Sequence, residues 1–320
     1  MKPYVLGIDI GGTNTVFGIV DTRGNVIASS SIKTGKHAKF ENYLDELYTE
    51  AMRLIESNEA VDKIQGIGIG APNANYYTGE IANAVNLPWP NLQLGKLVSE
   101  KFSIPVAVTN DANAAALGEM TYGAARGLKD FIMITLGTGV GSGIVINGQV
   151  VYGHDGLAGE LGHAIIKRNN GRLCGCGRSG CLEAYCSATG VARSAREFLE
   201  IRTEPSLLRN IPVEDITSKD VYDAAMNGDK LAKDIFDYTG TLLGEAMADM
   251  TVFSSPEAFI LFGGLSKSGD LLLRPLREAM DKNMLSMFRG KPKVILSELK
   301  EADAAVLGAS ALGWEAKELQ

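Results

Sequence analysis

One order of elements occurs twice in this chain, and that repeat restricts the fold more than any other feature. Residues 4–10 (YVLGIDI), 15–21 (TVFGIVD) and 25–32 (NVIASSSI) are short β-prone runs joined by tight polar turns, an antiparallel meander. A helical pattern follows at 40–57, with Phe40, Tyr43, Leu44, Leu47, Met52, Leu54 and Ile55 near one face. Strand 64–70, an Asn- and Pro-rich loop across 71–91, a helix near 92–102, strand 105–109 and a helix at about 112–122 complete a βββαβαβα unit. The second half repeats it: runs 130–136, 142–147 and 148–152, helices near 183–200, 217–227 and 229–253, strand 257–262, helix 270–283, strand 293–297 and helix 303–316. A duplicated α/β unit predicts two similar domains around a cleft, where ligands prefer to sit. The expected domains are 1–115, joined by about 303–320, and 116–302 with an inserted segment.

The insert, 154–186, holds all four cysteines and two of the three histidines. Cys174, Cys176 and Cys181, in a C-x-C-x4-C run, and His163 are the ligand types that close a tetrahedral zinc site. A purely structural metal knot does not require Glu160 and Glu183, so the loop is read as presenting carboxylates to a polar substrate. Glu160 and His163 lie three apart and would share one face of a helical turn. The histidine can hold metal through one ring nitrogen and face substrate with the other. Cys186 lies outside the metal pattern and is assigned no role.

Composition sets the context. A 45% hydrophobic and 22% charged chain of 320 residues is of the soluble globular class, long enough for two domains. A net charge of -7 argues against nucleic acid as the main partner, because phosphate backbones need a basic surface. The start, MKPYVLGIDIGG, reads as neither signal peptide nor membrane anchor, so a reducing cytoplasm is expected and clustered thiols favour metal over disulfides.

Two turns carry the phosphate chemistry. In Asp9-Ile10-Gly11-Gly12-Thr13-Asn14-Thr15, the glycines let backbone N–H groups crowd a phosphate, Thr13 and Asn14 add donors, and Asp9 can hold a hydrated Mg2+. It is not a Walker A loop, since no Gly-Lys-Ser/Thr follows. The matching turn of the second half, Leu136 to Gly143 with Thr138 and Gly139, is expected to grip the same polyphosphate from the other side. It leads into a strand rather than a helix, which excludes a dinucleotide fingerprint. Phe262-Gly263-Gly264 ends a strand, and either lets an adenine or ribose lie against the backbone or serves close helix packing. Asn110-Asp111 opens a helix and is first of all a cap. At a strand end facing a cleft, Asp111 can also take the proton of a sugar hydroxyl held in line with a γ-phosphate, while Asn110 fixes a second hydroxyl.

Taken together, the Asp9–Thr15 turn, the Leu136–Gly143 turn, and Gly159-Glu160-Leu-Gly-His163 followed by Cys174-Gly-Cys176 and Gly-Cys181-Leu-Glu183 resemble the ROK family of bacterial sugar kinases and repressors. The resemblance implies an actin-like, ribonuclease-H-like ATPase fold, ATP-dependent phosphorylation of a hexose, and a structural zinc on His163, Cys174, Cys176 and Cys181. By motif position Asp111 is the expected base, and Asn110, Glu160, His163 and Glu183 the expected sugar ligands. The segment Ile81–Trp89 resembles the part of the family that faces the sugar, with Asn83 and Asn86 as candidate contacts. Glucose phosphorylated on its 6-hydroxyl is the first expectation; N-acetylmannosamine, N-acetylglucosamine, fructose and allose stay open. The family's repressors carry an added winged helix before the phosphate turn. Here the turn comes within about ten residues of Met1, so a kinase is expected over a sugar-responsive regulator without its DNA-binding domain. A filament-forming or chaperone-like ATPase on this fold has no use for the metal loop. The family also implies a homo-oligomer, a dimer or tetramer.

Overall fold

The computed structural model describes residues 2–84, 87–89 and 91–316. The chain forms two compact units, one of 1–128, 143–159 and 297–320, the other of 129–142 and 160–296.

In the first unit, β1 (Tyr4–Ile10), β2 (Asn14–Asp21) and β3 (Val26–Lys33) form the antiparallel meander. The strands β4 (Ile64–Gly70) and β5 (Val106–Thr109) join β1 in parallel, giving the order β3-β2-β1-β4-β5. Alternation along the strands assigns the faces. Leu6, Ile8, Ile10, Phe17 and Ile19 pack with Phe40, Tyr43, Leu44 and Leu47 of α1 (Phe40–Ser57) and with α2 (Leu94–Phe102). Val5 and Val20, on the opposite face, meet Val306 and Leu307 of the last helix, Glu301–Gly313. That helix lies so close that a Cβ on Gly68 would stand 1.9 Å from the Ala309 carbonyl oxygen, so only glycine fits there. Helix α3 (Asp111–Tyr122) follows β5 directly.

The second sheet runs β10-β9-β6-β7-β8, from β6 (Phe131–Leu136), β7 (Val140–Ile146), β8 (Gln149–Val150), β9 (Ala258–Phe262) and β10 (Lys293–Leu296). In both sheets the order is third, second, first, fourth, fifth strand of its repeat. That is the duplication expected from the sequence, an α/β architecture.

Two local readings change. The single helix expected near 183–200 is two, α4 (Glu183–Cys186) and α5 (Ala188–Ile201). Ser187 breaks them, leaving helical backbone so that its Oγ accepts from the Gly190 N–H at 3.0 Å. The Glu160–His163 stretch is a 3-10 turn at Leu161–His163 preceded by Glu160, not a turn of α-helix. The helices α6 (Ser218–Met226), α7 (Lys230–Ser254) and α8 (Asp270–Asn283) cover the second unit, and α9 is the last helix named above.

Candidate active site

The strand ends of the first unit bring two carboxyls together. Asp9 is the penultimate residue of β1, beside Gly70 at the end of β4. Asp111 opens α3 just past the end of β5. A methyl on Gly70 would lie 3.4 Å from Asp9 Oδ1 and 3.7 Å from the Cα of Asp111, so the glycine leaves the space the two acids share. Burial, and then the charge of Asp111, push the Asp9 carboxyl up to about 7. Asp111 keeps an open surface, while protein packed beneath its carboxyl raises its pKa against the pull of the Ala112 N–H, 2.8 Å from Oδ1. Asn110 caps α3: its Oδ1 accepts from Ala112 at 2.8 Å and Asn113 at 3.4 Å, which leaves the amide nitrogen for other work.

The adjoining turn, 11–13, joins β1 to β2. Gly11 donates to the Asn14 carbonyl at 3.0 Å, and Gly12, Thr13 and Asn14 are exposed at the tip. Below it runs a buried hydroxyl chain: Tyr43 Oη lies 2.7 Å from Thr15 Oγ1, which lies 2.9 Å from Thr34 Oγ1, and the Thr34 N–H donates to Thr13 O at 3.0 Å. Trp89 packs on Tyr43 with ring centroids 4.4 Å apart. The loop carrying Trp89 also carries Asn83, which holds a left-handed backbone (φ 55°). Asn91 Oδ1 accepts from the Asn83 N–H at 3.0 Å, and Asn73 Nδ2 donates to its carbonyl at 3.0 Å. Asn86 lies outside the described residues.

In the second unit the cysteine loop and the second turn meet through Glu183. Its Oε2 accepts from the Val140 N–H at 3.0 Å, and its Oε1 lies 3.5 Å from Cys174 Sγ. A Cβ on Gly139 would stand 2.4 Å from Oε2, so the carboxylate occupies the room a side chain at 139 would need. Thr138 is exposed at the tip, and its carbonyl accepts from Thr189 Oγ1 at 2.9 Å. Glu160 is exposed and leads into the 3-10 turn, whose Leu161 N–H donates to Ser142 Oγ at 3.0 Å.

Ligand atoms of His163, Cys174, Cys176 and Cys181 all lie within 4.8 Å of one another. Cys174 Sγ is 3.7 Å from His163 Nδ1, and Cys176 Sγ is 3.7 Å from Cys181 Sγ. A tetrahedral zinc with Zn–S of about 2.3 Å and Zn–N of about 2.0 Å spaces its ligands roughly 3.5–3.8 Å apart, so the donor set fits the ion. Cys186 stands apart, fully buried, its thiol facing the Thr239 carbonyl at 3.6 Å. The loop has a second anchor that sequence reading missed. Arg172, almost wholly buried, reaches Glu197, Ser194 and the carbonyls of Ala184 and Gly190, and its guanidinium lies 4.5 Å over the Tyr185 ring.

Gly263 and Gly264 separate into two roles. Gly263 holds φ 102° and lies against Leu136, a packing role. A Cβ on Gly264 would meet nothing within 4 Å, and the residue borders a cavity of about 340 Å3 lined by Ser218, Lys219, Tyr222, Leu265, Lys267 and Ser268. Tyr222 gives that cavity an aromatic wall, which no spacing in the sequence had linked to the glycines. Lys33 was also missed, although counting the meander's register would have placed it: its Nζ is 2.8 Å from Asn14 Oδ1. Among the described residues no helix is long and apolar enough to cross a membrane.

Comparison with known proteins shows what the whole chain resembles. A glucokinase of Halalkalibacterium halodurans is 36% identical over 98% of this chain and 95% of its own length. A glucokinase structure from Streptomyces griseus, in complex with glucose and AMPPNP, is 32% identical, with a TM-score of 0.79 over 98% of this chain and 99% of that one. A transcriptional regulator homologous to the E. coli MLC protein superposes with a TM-score of 0.86 at 26% identity, over 98% of this chain and 78% of that one. The ROK family model matches residues 5–316, and the chain belongs to the ROK family.

Proposed function

We propose that this protein is an ATP-dependent glucose kinase that transfers the γ-phosphate to the 6-hydroxyl, with Asp111 as the base. The observation that carries this reading is Asp111 beside Asp9 at the Asp9–Thr15 turn, in a chain alike over its length to glucokinases. Burial makes Asp111 a stronger base than a free carboxylate, so it takes the hydroxyl proton as the new O–P bond forms and the bond to the ADP oxygen breaks. Asn110 through its amide nitrogen, Glu160, His163 through Nε2, Glu183 and Asn83 are assigned to the sugar hydroxyls. Gly11, Gly12, Thr13, Asn14, Thr138 and Gly139 are assigned to the phosphates. The cavity beside Gly264, with its Tyr222 wall, supports an adenine contact.

Asp9 would hold Mg2+ through water, and the ion when bound neutralises phosphate charge. His163, Cys174, Cys176 and Cys181 would hold zinc with no position left for water, so the ion supplies rigidity rather than Lewis acidity. Glu183, bonded both to the loop and to the second turn, then keeps a fixed direction.

The test is a coupled ATP assay across glucose, N-acetylmannosamine, N-acetylglucosamine, fructose and allose, with calorimetric sugar binding. Glucose should turn over fastest, and Asp111→Ala should lower kcat by roughly 10²–10⁴-fold while glucose still binds. Unchanged turnover in that variant removes Asp111 as the base. Sugar binding with no turnover of any sugar favours the regulator reading, which the regulator's 0.86 superposition supports.

A further inference from the structure

The proposed phosphate turn has an electrostatic deficit. From Asp9 to Thr15 it contains no cation, and the titratable groups beside it, Asp9 and Asp111, are both acidic. A triphosphate brought there carries several negative charges, which Mg2+ alone does not offset.

Strand register supplies a cation from 19 residues away. Asp9 pairs with Val16 across β1 and β2, so their side chains share a face. Asn14 is two residues before Val16 and shares that face by the strand period. Lys33 pairs with Asn14 across β2 and β3, and directly opposed residues point the same way. Lys33 therefore emerges on the face of Asp9, at the turn end of the sheet. Its Nζ donates to Asn14 Oδ1 at 2.8 Å, which holds the ammonium over the turn. The backbone beneath it is fixed, because Thr34 next along is buried on Thr15 and its N–H is bound to Thr13 O. Among the described residues Lys33 has no carboxylate partner, whereas nearby Lys36 is paired to Glu46 at 2.9 Å.

We propose that Lys33 is a binding residue for the terminal phosphates of the nucleotide, its ammonium supplied across the ladder and positioned by Asn14. Lysine suits this role as a compact point charge with three donors. The inference rests on the kinase reading, and two measurements separate them. Turnover of the wild type tests the kinase. Calorimetric binding of Mg-AMPPNP, which needs no turnover, tests Lys33.

Lys33→Gln should weaken AMPPNP binding and raise KM for ATP about tenfold, the scale of one lost charge-assisted contact, while KM for glucose stays within about twofold. The binding loss should shrink as salt rises. Adding Asn14→Lys to Lys33→Gln returns an ammonium to the same spot and should recover most of the loss, which a merely structural lysine would not allow. Lys36→Gln, a control of equal charge change, should leave KM for ATP unchanged. Lys33→Gln binding AMPPNP like the wild type overturns the proposal. So does an equal loss of glucose affinity, or a double variant that recovers nothing.

Discussion

Asp9 and Asp111 stand at neighbouring strand ends, and the burial of Asp9, with the charge of Asp111 added, makes the ligand-free protein respond to pH. The Asp9 pKa is raised from 3.8 to about 7, so the folded state keeps a proton that the unfolded chain has released. Its stabilising contribution is present below about pH 3.8 and is lost as pH rises to about 7, up to about 4 kcal/mol for a shift of this size. Thermal melts from pH 4 to 8 should show the wild type losing stability relative to Asp9→Asn across that window and running parallel above it. A constant difference between the two proteins would contradict the raised pKa. Gly139 offers a second test at this scale. In Gly139→Ala the new methyl collides with Glu183 Oε2, displacing the carboxylate and raising KM for glucose about tenfold, with the melting temperature little changed. An unaltered KM would detach Glu183 from the sugar.

At the scale of elements, the strands and hairpins were legible because their period of two and their Gly/Asn turns are local signals; β1, β4, α1 and α8 lie where the pattern put them. The 154–186 loop was legible only in its cysteines and His163. Its path is set by Arg172, whose partners at 184, 190, 194 and 197 belong to α4 and α5, and no short-range rule ties an arginine to carbonyls that far along the chain. The loop therefore has two independent anchors. Cys176→Ser should abolish bound zinc, measured by atomic absorption, and raise KM for glucose. Arg172→Ala should retain zinc yet cost roughly 2–4 kcal/mol in denaturant unfolding, from buried carbonyls left without a donor. Loss of zinc in Arg172→Ala would show that the anchors are one.

For the whole molecule, ligands that bind only the folded state must raise the melting temperature. Glucose at 100 times its Kd adds about 2.7 kcal/mol, and a sugar the site rejects adds nothing. A shift with N-acetylglucosamine that exceeds the shift with glucose would reassign the substrate. What the sequence by itself determined is the duplicated α/β order, the four Cys and His residues that cluster and the two Gly/Thr turns, because each is written in local spacing and residue type. Only the tertiary structure decided that Lys33 reaches Asn14 of the first turn, that Glu183 is bonded to the second, that Tyr222 lines the cavity beside Gly264, and that Asp9 shares its space with Asp111. Those juxtapositions come from strand register and helix packing, which join residues tens of positions apart, and no local pattern encodes a distance that only the assembled sheets create.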